Sequence, residues 1–231
     1  MILLLSCYNK LKIIKGGFSM DPKKQAWKTL ADQMIKNFEK RNIEAFYCED
    51  GVSATALAME LMKDNTSVSY GGSETIKEIG LLDAVRNRPS LSLIERTGLV
   101  TPADQKQHFL KCMASDYFLM SSNAITIDGE LVNIDGNGNR LACLIHGPEH
   151  VLVFAGMNKV TADVDSGIKR IRNVAAPRNA VRLDTKTPCH VTGHCGDCQA
   201  ESCMCCQVVV TRHSRHTGRI KVILIGEELG Y

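Results

Sequence analysis

Two hydrophobic periods alternate along the first half of this 231-residue chain, short β-prone runs giving way to amphipathic stretches of helical spacing, and this pattern most restricts its fold. A chain so patterned builds a mainly parallel sheet with helices on both faces, because each crossover must return over one face of the sheet. Asp21-Pro22 supplies an N-cap and a proline at the first helical position, and Trp27, Leu30, Met34, Ile35 and Phe38 then recur at helical spacing to about Arg41. Strands are expected from Ile43 to Cys48, Ser67 to Tyr70, Ser90 to Ile94 and Tyr117 to Met120. Helices are expected after a Ser53 cap, from about Glu74 to Val85, and from the capping box of Thr101-Pro102-Ala103-Asp104.

After Ser121 the pattern changes. Ile125-Thr126-Ile127 and Leu131 to Ile134 flank Asp128-Gly129, a hairpin signal, and the turn Asp135 to Asn139 leads into Leu141 to Ile145, so an antiparallel meander is predicted. Val151 to Ala155 is wholly apolar and therefore belongs at the centre of the sheet. A helix from Asp163 to about Arg172 is expected to break at Pro177, and Gln207 to Thr211 and Arg219 to Ile225 read as closing strands. Residues 20–231 are thus expected to form one α/β domain with a cysteine-rich loop at 188–206.

Residues 1–19 read as a translated leader, since Lys15-Gly16-Gly17 back-translates into a purine-rich ribosome-binding sequence upstream of Met20, or as a disordered or docking tail. They carry Lys10, Lys12 and Lys15 and no acid. Without them the 28 basic residues fall to 25 against 25 acidic ones, and the formal charge of +3 falls to zero. The basic balance is therefore no nucleic-acid signal. No apolar run approaches the roughly 18 residues of a membrane span, and a cytoplasmic location is expected.

Six of the ten cysteines fall between Cys189 and Cys206, whereas a disulfide framework would spread them along the chain. Small residues between Cys195 and Cys198 let both sulfurs face one metal, and the loop suits a [4Fe–4S] cluster, a zinc ion, or unligated redox-sensing thiols. His190 and His194 keep a mixed Cys/His zinc site open. Cys48, Cys112 and Cys143 lie in apolar segments and read as buried structural thiols.

Ligands of open α/β sheets collect beyond the carboxyl ends of the strands. The turns there supply Gly71, Gly72 and Ser73, whose backbone can approach an anion or simply turn tightly, then Asn123, Asp135 and Asn139, then Asn158 and Lys159. Lys159 suits a carboxylate or phosphate, or is a solvated turn lysine; Lys169, Arg170 and Arg172 read as a solvated helix face. No nucleophilic triad and no flavin or nicotinamide motif is visible, so catalytic residues stay unassigned.

Ser122-Asn123-Ala124-Ile125-Thr126, Asp128-Gly129, Val132 through Arg140, Gly147-Pro148 and Val153 through Lys159 together resemble the lactate-utilization (LUD) domain family, with looser similarity over Met20 to Tyr231. The resemblance implies an α/β fold related to ribose-5-phosphate isomerase, glucosamine-phosphate deaminase and CoA-transferases, with the ligand pocket beside these turns. It also implies a part in the iron–sulfur-assisted oxidation of L-lactate to pyruvate, hence a small anionic metabolite and an electron-transfer partner; a homo-oligomer is compatible with it. Family components carry the domain either without a cysteine cluster or joined to a ferredoxin-like segment, and this chain departs from both. It resembles a small-sized subgroup whose motif, Pro-Cys-x5-Cys-x2-Cys-x6-Cys, assigns Cys189, Cys195, Cys198 and Cys205 as metal ligands and leaves Cys203 and Cys206 over. The competing expectation is a non-redox sugar-phosphate or organic-acid protein with structural zinc.

Overall fold

The computed structural model describes residues 21–231, so the leader expectation lies outside the described residues. Helix α1 (Pro22–Lys40) begins as its sequence dictates: the Asp21 carboxylate accepts the Lys23 N–H at 3.0 Å, and Ala31, Met34 and Phe38 are buried. Six strands follow in a wholly parallel sheet, namely β1 (Glu44–Cys48), β2 (Thr66–Tyr70), β3 (Leu91–Leu93), β4 (Tyr117–Met120), β7 (His150–Gly156) and β10 (Ile220–Ile225). Their spatial order is β1-β10-β7-β4-β2-β3, which makes β7 an interior strand.

Period-two geometry divides β7 between two cores. Val151, Val153 and Ala155 pack with α1, α5 (Pro102–Met113) and α6 (Asn139–Ile145), while Leu152 and Phe154 pack on the other face with α2 (Gly51–Leu61), α3 (Glu74–Glu78) and α4 (Leu81–Arg86). A second, mixed sheet carries the hairpin, with strands β5 (Ala124–Thr126), β6 (Leu131–Asp135), β8 (Val160–Thr161) and β9 (Gln207–Thr211) in the order β8-β5-β6-β9. Ile125 and Leu131 join the α1 core, and Ala124, Val132 and Ile134 meet Ile171 and Ala175 on the opposite face.

The α/β architecture and the central place of Val151 to Ala155 agree with the sequence, and four local expectations are corrected. Leu141 to Ile145 is the body of helix α6: Gly138, at φ +77°, turns the chain out of extended geometry, and β5 and β9 already occupy both edges of β6. The helix expected from Glu74 to Val85 is split at Gly80, at φ +70°, into α3 and α4. The cap of α2 is Asp50, with Ser53 closing the capping box from the third helical position. Pro177 breaks nothing, because a π-helical turn at Ile171–Ala175 joins α7 (Val164–Arg170) to α8 (Ala176–Arg182) and absorbs the proline within the first turn of α8.

Gly156, where β7 leaves the sheet, is required by space. A Cβ there would stand 2.6 Å from the Glu227 carbonyl oxygen and 2.8 Å from the Leu229 nitrogen. Gly156→Ala is expected to destabilise the domain by about 1–3 kcal/mol through overpacking, read as a lower urea midpoint with unchanged slope. An unchanged midpoint would show that the segment after β10 yields freely.

Candidate functional site

The carboxyl ends of β2, β4 and β7 open onto one cleft of about 1000 Å³, bounded on its far side by β6, the π-helical turn and the cysteine loop. Gly71, Gly72, Ser73, Asn123, Asp135, Asn139 and Lys159 all line it, which brings seven sequence-predicted residues together from four separate turns. Asn158 does not line it. Its side chain is turned to the segment after β10, accepting the Leu229 N–H at 3.2 Å. The Ser73 hydroxyl is engaged as the α3 cap, accepting the Ile76 N–H at 3.4 Å.

Lys159 occupies the cleft floor with only 3% of its surface exposed. Its Nζ donates to Thr75 Oγ1 at 2.8 Å and Ser121 Oγ at 2.9 Å, and no carboxylate among the described residues forms an ion pair with it. Burial, then the charges of Arg170 and Arg140, pull its pKa from 10.5 to about 7, opposed only by Glu78. A solvated turn lysine is therefore ruled out.

Arg140 braces the wall beside it. Its guanidinium pairs with Asp135 at 3.2 Å and donates to Asn123 Oδ1 at 2.9 Å and to the Ile134 carbonyl at 2.8 Å. Asn133, fully buried, accepts the Asn123 N–H and donates to Ser122 Oγ, both at 3.1 Å, so the turn after β4 is tied to β6. Asp135 and Asn123 thus brace Arg140. The helix read as a solvated cationic face divides three ways: Lys169 is exposed, Arg170 turns inward to donate to the Asn123 carbonyl at 2.8 Å and the Asn158 carbonyl at 3.1 Å, and Arg172 reaches the cysteine loop.

In that loop Cys195 Sγ accepts from Arg172 Nε and from the Asp197 N–H, each at 3.4 Å, and Cys203 Sγ accepts the Cys205 N–H at 3.5 Å. The half-buried Cys205 thiol is pushed up to about 12 by burial and then by the nearby Cys203, Cys195 and Cys189. Cys198 and Cys206 act on the Cys203 thiol in the same upward direction. Among the described residues no group of three or more His, Cys, Asp or Glu side chains is arranged to hold a metal ion as it stands. His190 and His194 direct their Nδ1 atoms to the Thr185 and Thr192 carbonyls, at 2.9 and 3.3 Å. Cys203 and Cys205 line the cleft that holds Lys159.

The LUD domain family matches residues 31–225, which span both sheets, the cleft and the loop. The chain belongs to the LUD-domain family. No curated protein matches it. Among solved structures, a DUF162 family protein from Deinococcus radiodurans is similar at 11% identity, covering 86% of this chain and 98% of that one, with a TM-score of 0.48.

Several lining residues of this LUD domain are not among the ligand contacts expected from sequence: Arg96 and His108, together with Thr75, Ser121 and Arg140, which lie in or beside the expected turns, and Cys112, expected only as a structural thiol. The Ser121-Ser122-Asn123 turn carried a signal for Ser121, and the polar turn from Asp135 carried one for Arg140. Nothing in the helical periodicity of α5 marks His108 and Cys112, whose Nε2 and Sγ lie 3.4 Å apart. Cys112 and Cys143 are buried as expected, the Cys143 thiol being pushed up to about 12 by burial. No helix among the described residues is long and apolar enough to cross a membrane.

Burial of Lys159 makes stability depend on pH with a defined sign. Its folded pKa lies below the unfolded value, so between about 7 and 10.5 the unfolded chain binds more protons and stability rises with pH, by up to about 1.4 kcal/mol per unit. Lys159→Met removes this term. The melting temperature of the native protein relative to that variant is expected to climb by several degrees between about pH 6 and pH 9. A constant difference, measured by thermal denaturation in matched buffers, would mean that Lys159 keeps its proton in the fold.

Proposed function

We propose that this LUD-domain protein is an iron–sulfur redox component acting on lactate or a related 2-hydroxy or 2-oxo acid, which binds in the cleft and exchanges electrons with a partner protein. One observation carries the reading: a single cavity is lined both by the guanidiniums of Arg140 and Arg96 and by Cys203 and Cys205, with Lys159 at its floor. Cationic side chains suit a carboxylate, and cysteines beside them suit electron transfer at short range.

The residues of the loop fit a cluster. Four thiolates repel one another unless cations share their charge, and Arg172 and two backbone N–H groups already donate to Cys195 and Cys203 sulfurs. We assign Cys189, Cys195, Cys198 and Cys205 as its ligands, with Cys203 and Cys206 left to position them. Bound there, a [4Fe–4S] cluster supplies one-electron transfer. Arg140 and Arg96 hold the substrate carboxylate, Asn123 and Asn139 contact its remaining oxygens, and the Gly71-Gly72-Ser73 turn walls the cleft. Lys159, whose ammonium is disfavoured by burial, is placed to take up the 2-hydroxyl proton, while the C2 hydrogen and the two electrons of the oxidation pass to a two-electron acceptor on the partner protein.

A second reading is favoured by size. A cleft of about 1000 Å³ is far larger than a three-carbon acid requires and accommodates a sugar phosphate or larger organic acid, with zinc closing the loop in a non-redox protein.

Anaerobic purification of the full chain, followed by iron, sulfide and zinc analysis and a visible spectrum, separates the two. The redox reading expects about four irons and four sulfides per chain and a broad visible charge-transfer band, both lost in Cys195→Ala. One zinc in a colourless protein overturns it. Calorimetric titration with L-lactate and pyruvate is expected to show binding weakened at least about tenfold by Arg140→Met, a loss of at least about 1.4 kcal/mol. Equal affinities would remove Arg140 from the carboxylate site.

A further inference from the structure

We propose that Lys159 takes the carbonyl carbon of a 2-oxo acid as a covalent imine, which makes the cleft floor a nucleophilic site. The inference rests on the 2-oxo acid reading above and adds to it a bond to a named atom.

A neutral amine has two N–H bonds and one lone pair, whereas an ammonium has three N–H bonds and none. Two acceptors face Nζ, Thr75 Oγ1 and Ser121 Oγ, and the protons of both hydroxyls are directed elsewhere, to the Leu229 carbonyl at 3.3 Å and the Ser122 carbonyl at 3.2 Å. The hydroxyls therefore present lone pairs to Nζ and accept its two hydrogens. Beyond these two hydroxyls, Nζ has no further protein acceptor among the described residues, in a place that is 3% exposed. The charged groups facing Nζ act the same way: Arg170 and Arg140 repel an ammonium, and Glu78 alone favours one. The remaining tetrahedral position of Nζ is the lone pair, and Lys159 lines the cleft.

A buried amine beside fixed cations is the arrangement that activates lysine toward carbonyl carbon. The step is balanced without an oxidant or a cofactor. Nζ forms a bond to the 2-carbon, the carbon–oxygen double bond gives way to carbon–nitrogen, and both hydrogens of the amine leave with the carbonyl oxygen as water. Thr75 Oγ1 and Ser121 Oγ, which hold those hydrogens, are placed to pass them on. The carboxylate of the same ligand faces the guanidiniums of Arg140 and Arg96, of which Arg96 forms no ion pair among the described residues.

The test uses radiolabelled pyruvate and borohydride with the full chain near neutral pH, read by intact mass and by peptide mapping. The expected result is one reduced adduct per chain on the peptide containing Lys159, formed at least about tenfold faster than labelling of exposed lysines such as Lys111 and Lys169. It should be absent with L-lactate, which has no carbonyl, and absent from Lys159→Arg. Mapping on the native protein keeps the test decisive even if that variant fails to fold. Equilibrium dialysis with the same pyruvate separates the two failures. Saturable binding with no adduct at Lys159, or adducts spread evenly over exposed lysines, overturns the imine and leaves the ligand reading standing. No saturable binding overturns both.

Discussion

Burial of β7 on both faces is the constraint on which the rest of the molecule depends. An interior strand with Val151, Val153 and Ala155 on one side and Leu152 and Phe154 on the other requires helices above and below it. Parallel neighbours then bring the carboxyl ends of β2, β4 and β7 to one edge. That edge becomes a cleft because the second sheet stands across it, joined to the first through the three residues between β4 and β5. Asn133 and Arg140 hold this short connection by hydrogen bonds to side chain and backbone, so the spacing between the sheets is set by a small buried polar network.

Placing a lysine at the bottom of that cleft opposes stability and serves chemistry. Burial and two nearby guanidiniums disfavour the ammonium, and the hydroxyls of Thr75 and Ser121 satisfy an amine instead. The fold maintains the arrangement because Lys159 ends the single 3₁₀ turn that directly follows β7, which ties it to the end of an interior strand. Catalytic groups on rigid elements are held more accurately than groups on free loops.

Much of this was legible in the sequence, and the failures have physical causes. The parallel sheet, the Asp128-Gly129 hairpin and the clustering of strand-end turns followed from period and turn chemistry, and the LUD resemblance came from the turns themselves. Leu141 to Ile145 was misread because a short apolar run fits strand or helix equally, and only the occupied edges of β6 decide. Arg170 looked solvated because helical periodicity does not register an arginine whose charged head bonds backbone carbonyls inside. Asn158 looked like a ligand contact beside Lys159, yet it fastens Leu229, since neighbours in a tight turn point to different sides. His108 gives no signal and Cys112 reads only as a buried thiol, because a cleft formed by distant segments has no local period.

The π-helical turn between α7 and α8 has a mechanical consequence. Its wider winding lets adjacent side chains serve different neighbours: Ile171 lines the cleft while Arg172 grips Cys195 and Asp197 in the cysteine loop. The turn therefore has one side chain in each place. The wall against which a ligand would rest and the grip on the cysteine loop are adjacent residues of one chain segment, so neither could shift by much without the other being displaced across a single turn of backbone.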